Sequence, residues 1–113
     1  MKILLLEDDV DLGPMHQELL EADGHTVSLA TNGVDGLKQA INSEFDIIIT
    51  DNRMPEMDGR EFTSLAKRMG VQAPIYACTS DDGDSEVREQ FYQAGAKKIY
   101  GKWQIKQLIK EAA

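Results

Sequence analysis

Four short apolar runs in the 113-residue chain end in side chains able to handle a phosphoryl group. Ile3-Leu4-Leu5-Leu6 runs into Glu7-Asp8, Ile47-Ile48-Ile49-Thr50 into Asp51, Ile75-Tyr76-Ala77-Cys78 into Thr79, and Ile99-Tyr100-Gly101 into Lys102. An apolar run of four to six residues bounded by turn signals reads as a buried parallel strand. In a parallel sheet all carboxyl ends share one edge, and ligands bind in the crevice beyond it. Three acids, a hydroxyl and an amine, far apart in sequence, should therefore converge.

A carboxylate can act as nucleophile toward a phosphoryl group and become an acyl phosphate. Asp51 is the candidate, at the end of the most apolar run and followed by a loop. Glu7 and Asp8 should lie on the neighbouring strand end, and three carboxylates so close repel unless a cation sits among them. Mg²⁺ suits oxygen ligands, few protein contacts and a substrate phosphate. Asp8 is the better direct ligand, and Glu7 is expected to act through water. The remaining charge of an in-line transfer falls to the Lys102 ammonium and the Thr79 hydroxyl.

The elements that must position these groups alternate. Strands are predicted at 2–6, 25–30, 45–50, 75–78 and about 97–100, and helices at about 10–22, 34–42, 60–69, from about 84 to Gly95, and about 104–112. The helices are expected to bury Leu12, Met15, Leu19 and Leu20; Val34, Leu37 and Ile41; Phe62, Leu65 and Met69; Val87, Phe91 and Ala94; and Ile105, Leu108 and Ile109. Five βα units in this length predict one open, doubly wound α/β domain.

Composition excludes several classes. Twelve Lys+Arg against 20 Asp+Glu give a net charge of −8, which disfavours direct binding to nucleic acid or an anionic membrane. Cys78 is the only cysteine, so no intramolecular disulfide forms and a reduced compartment is expected. The first apolar run is too short for a signal peptide or a membrane span, and a cytoplasmic location is expected.

Over essentially its full length the chain resembles a response-regulator receiver domain of two-component signalling. The resemblance is carried by Glu7-Asp8-Asp9, by Asp51-Asn52-Arg53-Met54-Pro55-Glu56-Met57-Asp58-Gly59, by Thr79-Ser80, and by Ala94-Gly95-Ala96 with Lys102 seven residues after Gly95. It implies a flavodoxin-like (βα)5 sheet in the order 2-1-3-4-5, a single receiver domain over 1–113 and no output domain. It implies phosphorylation of Asp51 by a histidine-kinase or phosphotransfer donor, with Mg²⁺ required and the Arg53 backbone carbonyl as a further ligand. Ser80, being small, would leave the phosphoryl group accessible. The only catalysis expected is of the domain's own aspartyl phosphorylation and dephosphorylation. A downstream protein would read the state, with the domain a monomer or a phosphorylation-linked dimer.

Two positions depart from the family pattern. Ile99 stands where an aromatic residue usually swings inward with the threonine, and alternation points the adjacent Tyr100 to the other face. Trp103 follows Lys102 where a proline is usual, so a trans bond is expected there. These departures motivate an alternative, a phosphorylation-independent adaptor on the same fold. A flavin carrier is disfavoured because Glu7-Asp8-Asp9 would repel the flavin phosphate. Plainer readings apply elsewhere: Asp9 as helix cap or pocket acid, Asp58 as a turn residue, His16 and His25 as surface residues, Cys78 as a core thiol, Met54 and Met57 as packing residues, and Trp103 as an anchor under the last helix.

Overall fold

A computed structural model describes residues 1–113. The chain runs β1 (Lys2–Leu6), α1 (Leu12–Ala22), β2 (Thr26–Ala30), α2 (Gly33–Asn42), β3 (Ile47–Thr50), α3 (Gly59–Arg68), β4 (Ile75–Cys78), α4 (Ser85–Ala94), β5 (Lys98–Tyr100), a 3₁₀ turn (Lys102–Gln104) and α5 (Ile105–Ala112). The five strands form one parallel sheet in the order β2-β1-β3-β4-β5. No helix is long and apolar enough to cross a membrane.

Alternation along the strands divides the core between the two sheet faces. Ile3, Leu5, Ile47, Ile49, Tyr76, Cys78 and Tyr100 pack with Leu20 of α1 and Ile105, Leu108 and Ile109 of α5. Leu4, Leu6, Ile48 and Ile75 pack with Ala40 of α2 and with Phe62 and Ala66 of α3. Ala77 and Ile99 meet Val87 and Phe91 of α4. Ile99 and Tyr100 thus face opposite ways, as alternation requires.

The helix ends follow local chemistry. Asn32, Asp58 and Asp84 each accept backbone N–H bonds from the first turn of the helix they precede. Asp58, expected as a turn residue, is the N-cap of α3. Asp9 likewise accepts from the Asp11 and Leu12 amides. Gly95 closes α4 at a φ of 111°, a conformation that side chains with a Cβ rarely adopt.

Three expected core residues are exposed: Met15 is 45% exposed, Ile41 47% and Met69 57%. The buried stripes are instead Gly13, His16 and Leu20 on α1 and Gly33, Gly36 and Ala40 on α2, while Ala66 joins Phe62 on α3. The cause is proximity to the sheet: a Cβ on Gly36 would lie 2.3 Å from a Leu6 methyl. On α2, Gly36 and Ala40 face the sheet and the larger Leu37 and Ile41 flank the contact. His16 is a further correction, since it is 3% exposed rather than a surface residue. Its ring meets Trp103 edge-on, with centroids 6.5 Å apart. Trp103 is 81% exposed and does not anchor α5; Ile105, Leu108 and Ile109 do that. His25 is half-buried, with its Nδ1 2.9 Å from the terminal amine.

Candidate functional site

Strand register builds the site. Leu6 pairs with Thr50, so Glu7 and Asp51 leave the sheet side by side. Cys78 pairs with Tyr100, which sets Thr79 beside Gly101 and next to Lys102. The Thr79 amide confirms this alignment by donating to the Tyr100 carbonyl at 2.9 Å. The loop after Asp51 then folds back sharply. The Gly59 amide donates to the Asn52 carbonyl at 2.7 Å, and a Cβ on Gly59 would lie 1.9 Å from the Asp51 carbonyl oxygen. Only glycine allows α3 to begin that close beneath the strand end.

Carboxylate oxygens of Glu7, Asp8 and Asp51 lie within 4.8 Å of one another. Glu7 is 3% exposed and Asp51 9%, while Asp8 is partly open. The Lys102 ammonium bonds Glu7 Oε1 and lies 3.1 Å from Asp51 Oδ2. Asp51 Oδ1 accepts from the Asn52 backbone N–H at 2.7 Å. Burial pushes the Glu7 pKa up, against the Lys102 hydrogen bond, and the Asp51 charge raises it further. Burial also works against the Lys102 ammonium, but the Glu7 hydrogen bond and the charges of Asp51 and Glu7 outweigh it and hold its pKa high. Three hard oxygen donors within 4.8 Å of one another, two of them already drawn to a positive charge, fit a small divalent cation.

The other expected residues fall around this group. Thr79 is buried, and its hydroxyl accepts from the Asp81 amide at 3.0 Å, so it does shape its own turn. Ser80 is exposed and lines a groove of about 460 Å³ with Leu12, Lys102 and Trp103. Arg53 is exposed at the pocket's edge, whereas Ile99 lies in the α4 core, away from the acids. All peptide bonds are trans, the one before Trp103 included. Met54 and Met57 pack against the Phe62 core, and Cys78 is a buried thiol bonded to the Gly101 carbonyl. Burial pushes the Cys78 pKa up to about 12, which removes it from nucleophilic chemistry.

Sequence reasoning assigned no role to Asn52, and for the Arg53 and Asp81 side chains it expected only an influence on the lifetime of an acyl phosphate. Asn52 is 1% exposed, and its Nδ2 donates to Asp81 Oδ2 at 2.9 Å. Asp81 also takes a two-pronged contact from Arg53, Nε to Oδ2 at 2.9 Å and Nη2 to Oδ1 at 3.1 Å. The hydrogen bonds from Asn52 and then Arg53 hold its carboxyl below the usual range. The one available signal was the placement of Asn52 and Arg53 directly after Asp51, in a loop that must face the loop after Thr79.

A profile of the response regulator receiver domain matches residues 3–113. The chain is 31% identical over 100 residues to the autoinducer 2 sensor kinase/phosphatase LuxQ of Vibrio cholerae, covering 88% of this chain and 12% of that protein. It is 32% identical over 88 residues to the uncharacterized transcriptional regulatory protein YbdJ of Bacillus subtilis, covering 77% and 39%. The chain therefore spans well under half the length of these relatives. Among solved structures, the chemotaxis protein CheY4 of Vibrio cholerae aligns with a TM-score of 0.89 at 24% identity, covering 99% of this chain and 98% of that one. The receiver domain of a Pseudomonas aeruginosa sensor histidine kinase, which holds a magnesium ion in its active-site cleft, aligns with a TM-score of 0.86 at 24% identity over 97% and 94%.

Proposed function

Because the chain belongs to the response-regulator receiver domain family, whose general function is to accept a phosphoryl group, we propose that Asp51 is the acceptor and that its phosphorylation switches partner binding. The observation that carries this reading is the Asp51 carboxylate at a parallel strand end, bonded to Lys102 and crowded by Glu7 and Asp8.

The donor is a phosphohistidine on a sensor kinase or phosphotransfer protein. An Asp51 carboxylate oxygen attacks phosphorus, the O–P bond forms, and the P–N bond breaks with its electron pair returning to the imidazole. Asp8, Asp51 and the Arg53 backbone carbonyl would hold Mg²⁺, with Glu7 acting through water. When bound, the ion supplies the positive charge that lets these acids stay ionised together and offsets charge on the incoming phosphoryl group. Lys102 faces one side of Asp51 and offsets charge on a second equatorial oxygen. The Thr79 hydroxyl serves the third, and exposed Ser80 leaves the way in open. The chain's catalysis is confined to forming and hydrolysing its own acyl phosphate.

The net charge of −8 favours a protein target over direct contact with nucleic acid, and the reading places the domain in the cytoplasm, as a monomer or phosphorylation-linked dimer. Intact mass after incubation with Mg²⁺ and acetyl phosphate tests it. One phosphoryl adduct on the wild type and none on Asp51→Asn is expected. No adduct from acetyl phosphate or from a phosphohistidine protein would refute the reading and leave a fixed adaptor surface in its place.

A further inference from the structure

Asp81 ties the two loops that border Asp51. Its carboxylate accepts three hydrogen bonds from the β3–α3 loop, one from Asn52 and two from Arg53, at 2.9–3.1 Å. Its own backbone N–H donates to the Thr79 hydroxyl at 3.0 Å. One residue thus anchors the β4–α4 loop and orients the side chain that must reach a phosphoryl oxygen.

Resting on the phosphoryl reading, we propose that Asp81 is a latch: through Asn52, Arg53 and its own amide it holds Thr79 in the resting arrangement and opposes the phosphorylated one. Moving Thr79 toward Asp51 withdraws its oxygen from the Asp81 amide, and Asp81 cannot follow without breaking its three bonds across the loops. Arg53 alone would be a weak tether, because its side chain is 83% exposed and such pairs contribute little. Asn52 strengthens it. That amide is buried, its Oδ1 has no partner, and its Nδ2 has Asp81 as its acceptor, so the contact is shielded from water. The latch is also sensitive to the modification. Asn52 and Arg53 directly follow Asp51, so a new anionic group on Asp51 competes with Asp81 for the same donors. The coupling is reciprocal: what phosphorylation weakens must itself oppose phosphorylation.

The test is titration with Mg²⁺ and beryllofluoride, a mimic of the phosphoryl group, followed through the Thr79 methyl resonance. In Asp81→Ala the half-saturating concentration should fall about three- to tenfold. In Arg53→Met, a change at an exposed side chain that retains the backbone carbonyl, it should fall by about twofold or more. The double variant should gain no more than Asp81→Ala alone. In the resting protein both single variants should move the Thr79 methyl toward its beryllofluoride-bound position. Simple electrostatics gives a different pattern, since removing Asp81 eases anion binding and removing Arg53 hinders it. Opposite signs in the two variants, or unchanged affinity in both, would overturn the latch while a wild-type shift leaves the phosphoryl reading intact. A wild type that takes up no beryllofluoride would overturn both.

Discussion

Lys102 is the sole cation bonded to the buried acids, and replacing it with methionine should expose what those acids cost the fold. Its ammonium bonds Glu7 and lies 3.1 Å from Asp51, and the three side chains are 11%, 4% and 11% exposed. At 3.1 Å and an effective dielectric of about 20, one such contact is worth about 5 kcal/mol before desolvation. Removing one partner of a buried pair costs about 3–5 kcal/mol, chiefly by stranding the other charge. The strand-end crevice admits some water, so about 3 kcal/mol is expected without divalent cations. Methionine keeps most of the apolar stem, so little of this comes from lost packing. For a domain of this size the loss lowers Tm by about 12 °C. The deficit depends on pH. Glu7 already has a raised pKa through burial, opposed by its Lys102 hydrogen bond, and losing that bond raises it further. A carboxyl with a folded pKa above its unfolded one destabilises the fold as pH climbs from the unfolded value through the folded one, and the cost vanishes below both. The deficit should therefore be larger at pH 8 than at pH 5. Mg²⁺ should stabilise the variant more than the wild type, because the ammonium no longer competes for the acids; a tenfold excess over Kd contributes about 1.4 kcal/mol. The assay is thermal and urea unfolding of both proteins in EDTA and in Mg²⁺ at the two pH values. Equal stability in EDTA at pH 8, or a deficit identical at pH 5, would refute the reasoning.

Two other outcomes follow from packing. Gly59→Ala should cost about 3 kcal/mol or more, because the new Cβ would meet the Asp51 backbone oxygen at 1.9 Å, while Gly36→Ala should cost about 1–3 kcal/mol, because the Leu6 methyl at 2.3 Å belongs to a side chain that can shift; urea unfolding that ranks them the other way would mean the loop does not close on the Asp51 carbonyl. Cys78, its pKa pushed up to about 12 by burial, should resist a thiol reagent at pH 8 until the chain is unfolded in urea; native labelling at the unfolded rate would contradict its burial.

The sheet and the acid pocket were legible because both rest on strands that advertise themselves. A run such as Ile47-Ile48-Ile49 has no reading other than a buried strand once turns bound it, and parallel pairing then carries Glu7, Asp51, Thr79 and Lys102 to one edge without further information. Helix faces were less legible, because reading them by large apolar residues overlooks distance. Where a helix lies close to the sheet, Gly36 and Ala40 occupy the contact and Ile41 turns outward. His16 and Trp103 exchanged their expected places for a related reason. Trp103 sits in the 3₁₀ turn ahead of α5, on a register that the helical period beginning at Ile105 does not describe. The contact of Asp81 with Asn52 and Arg53 was hidden because it depends on two loops facing each other, and no local pattern encodes that.

The energetics of the pocket bear on the choice between a switch and a fixed adaptor. Glu7 and Asp51 are desolvated with one ammonium between them, and apolar residues of similar volume usually serve stability as well or better than a buried ion cluster. A surface whose only task is to be recognised gains nothing from such a cluster at the base of the crevice. A switch does, because the arrangement is held by charge balance, and replacing the Asp51 carboxylate by an acyl phosphate of roughly −1.5 to −2 charge, up to about one unit more negative and with new acceptor oxygens, changes what Lys102, Asn52 and Arg53 are drawn to. Ile99 constrains how that change leaves the site. It is packed with Val87 and Phe91, and Tyr100 faces the opposite core with its hydroxyl bonded to Glu111, so neither offers an aromatic ring free to turn inward behind Thr79. The continuous path from Thr79 to a helix runs instead through the Asp81 turn to Asp84, whose side chain caps α4. On the proposed phosphoryl reading, the geometry of that loop, rather than a swinging ring, would link the state of Asp51 to the position of α4.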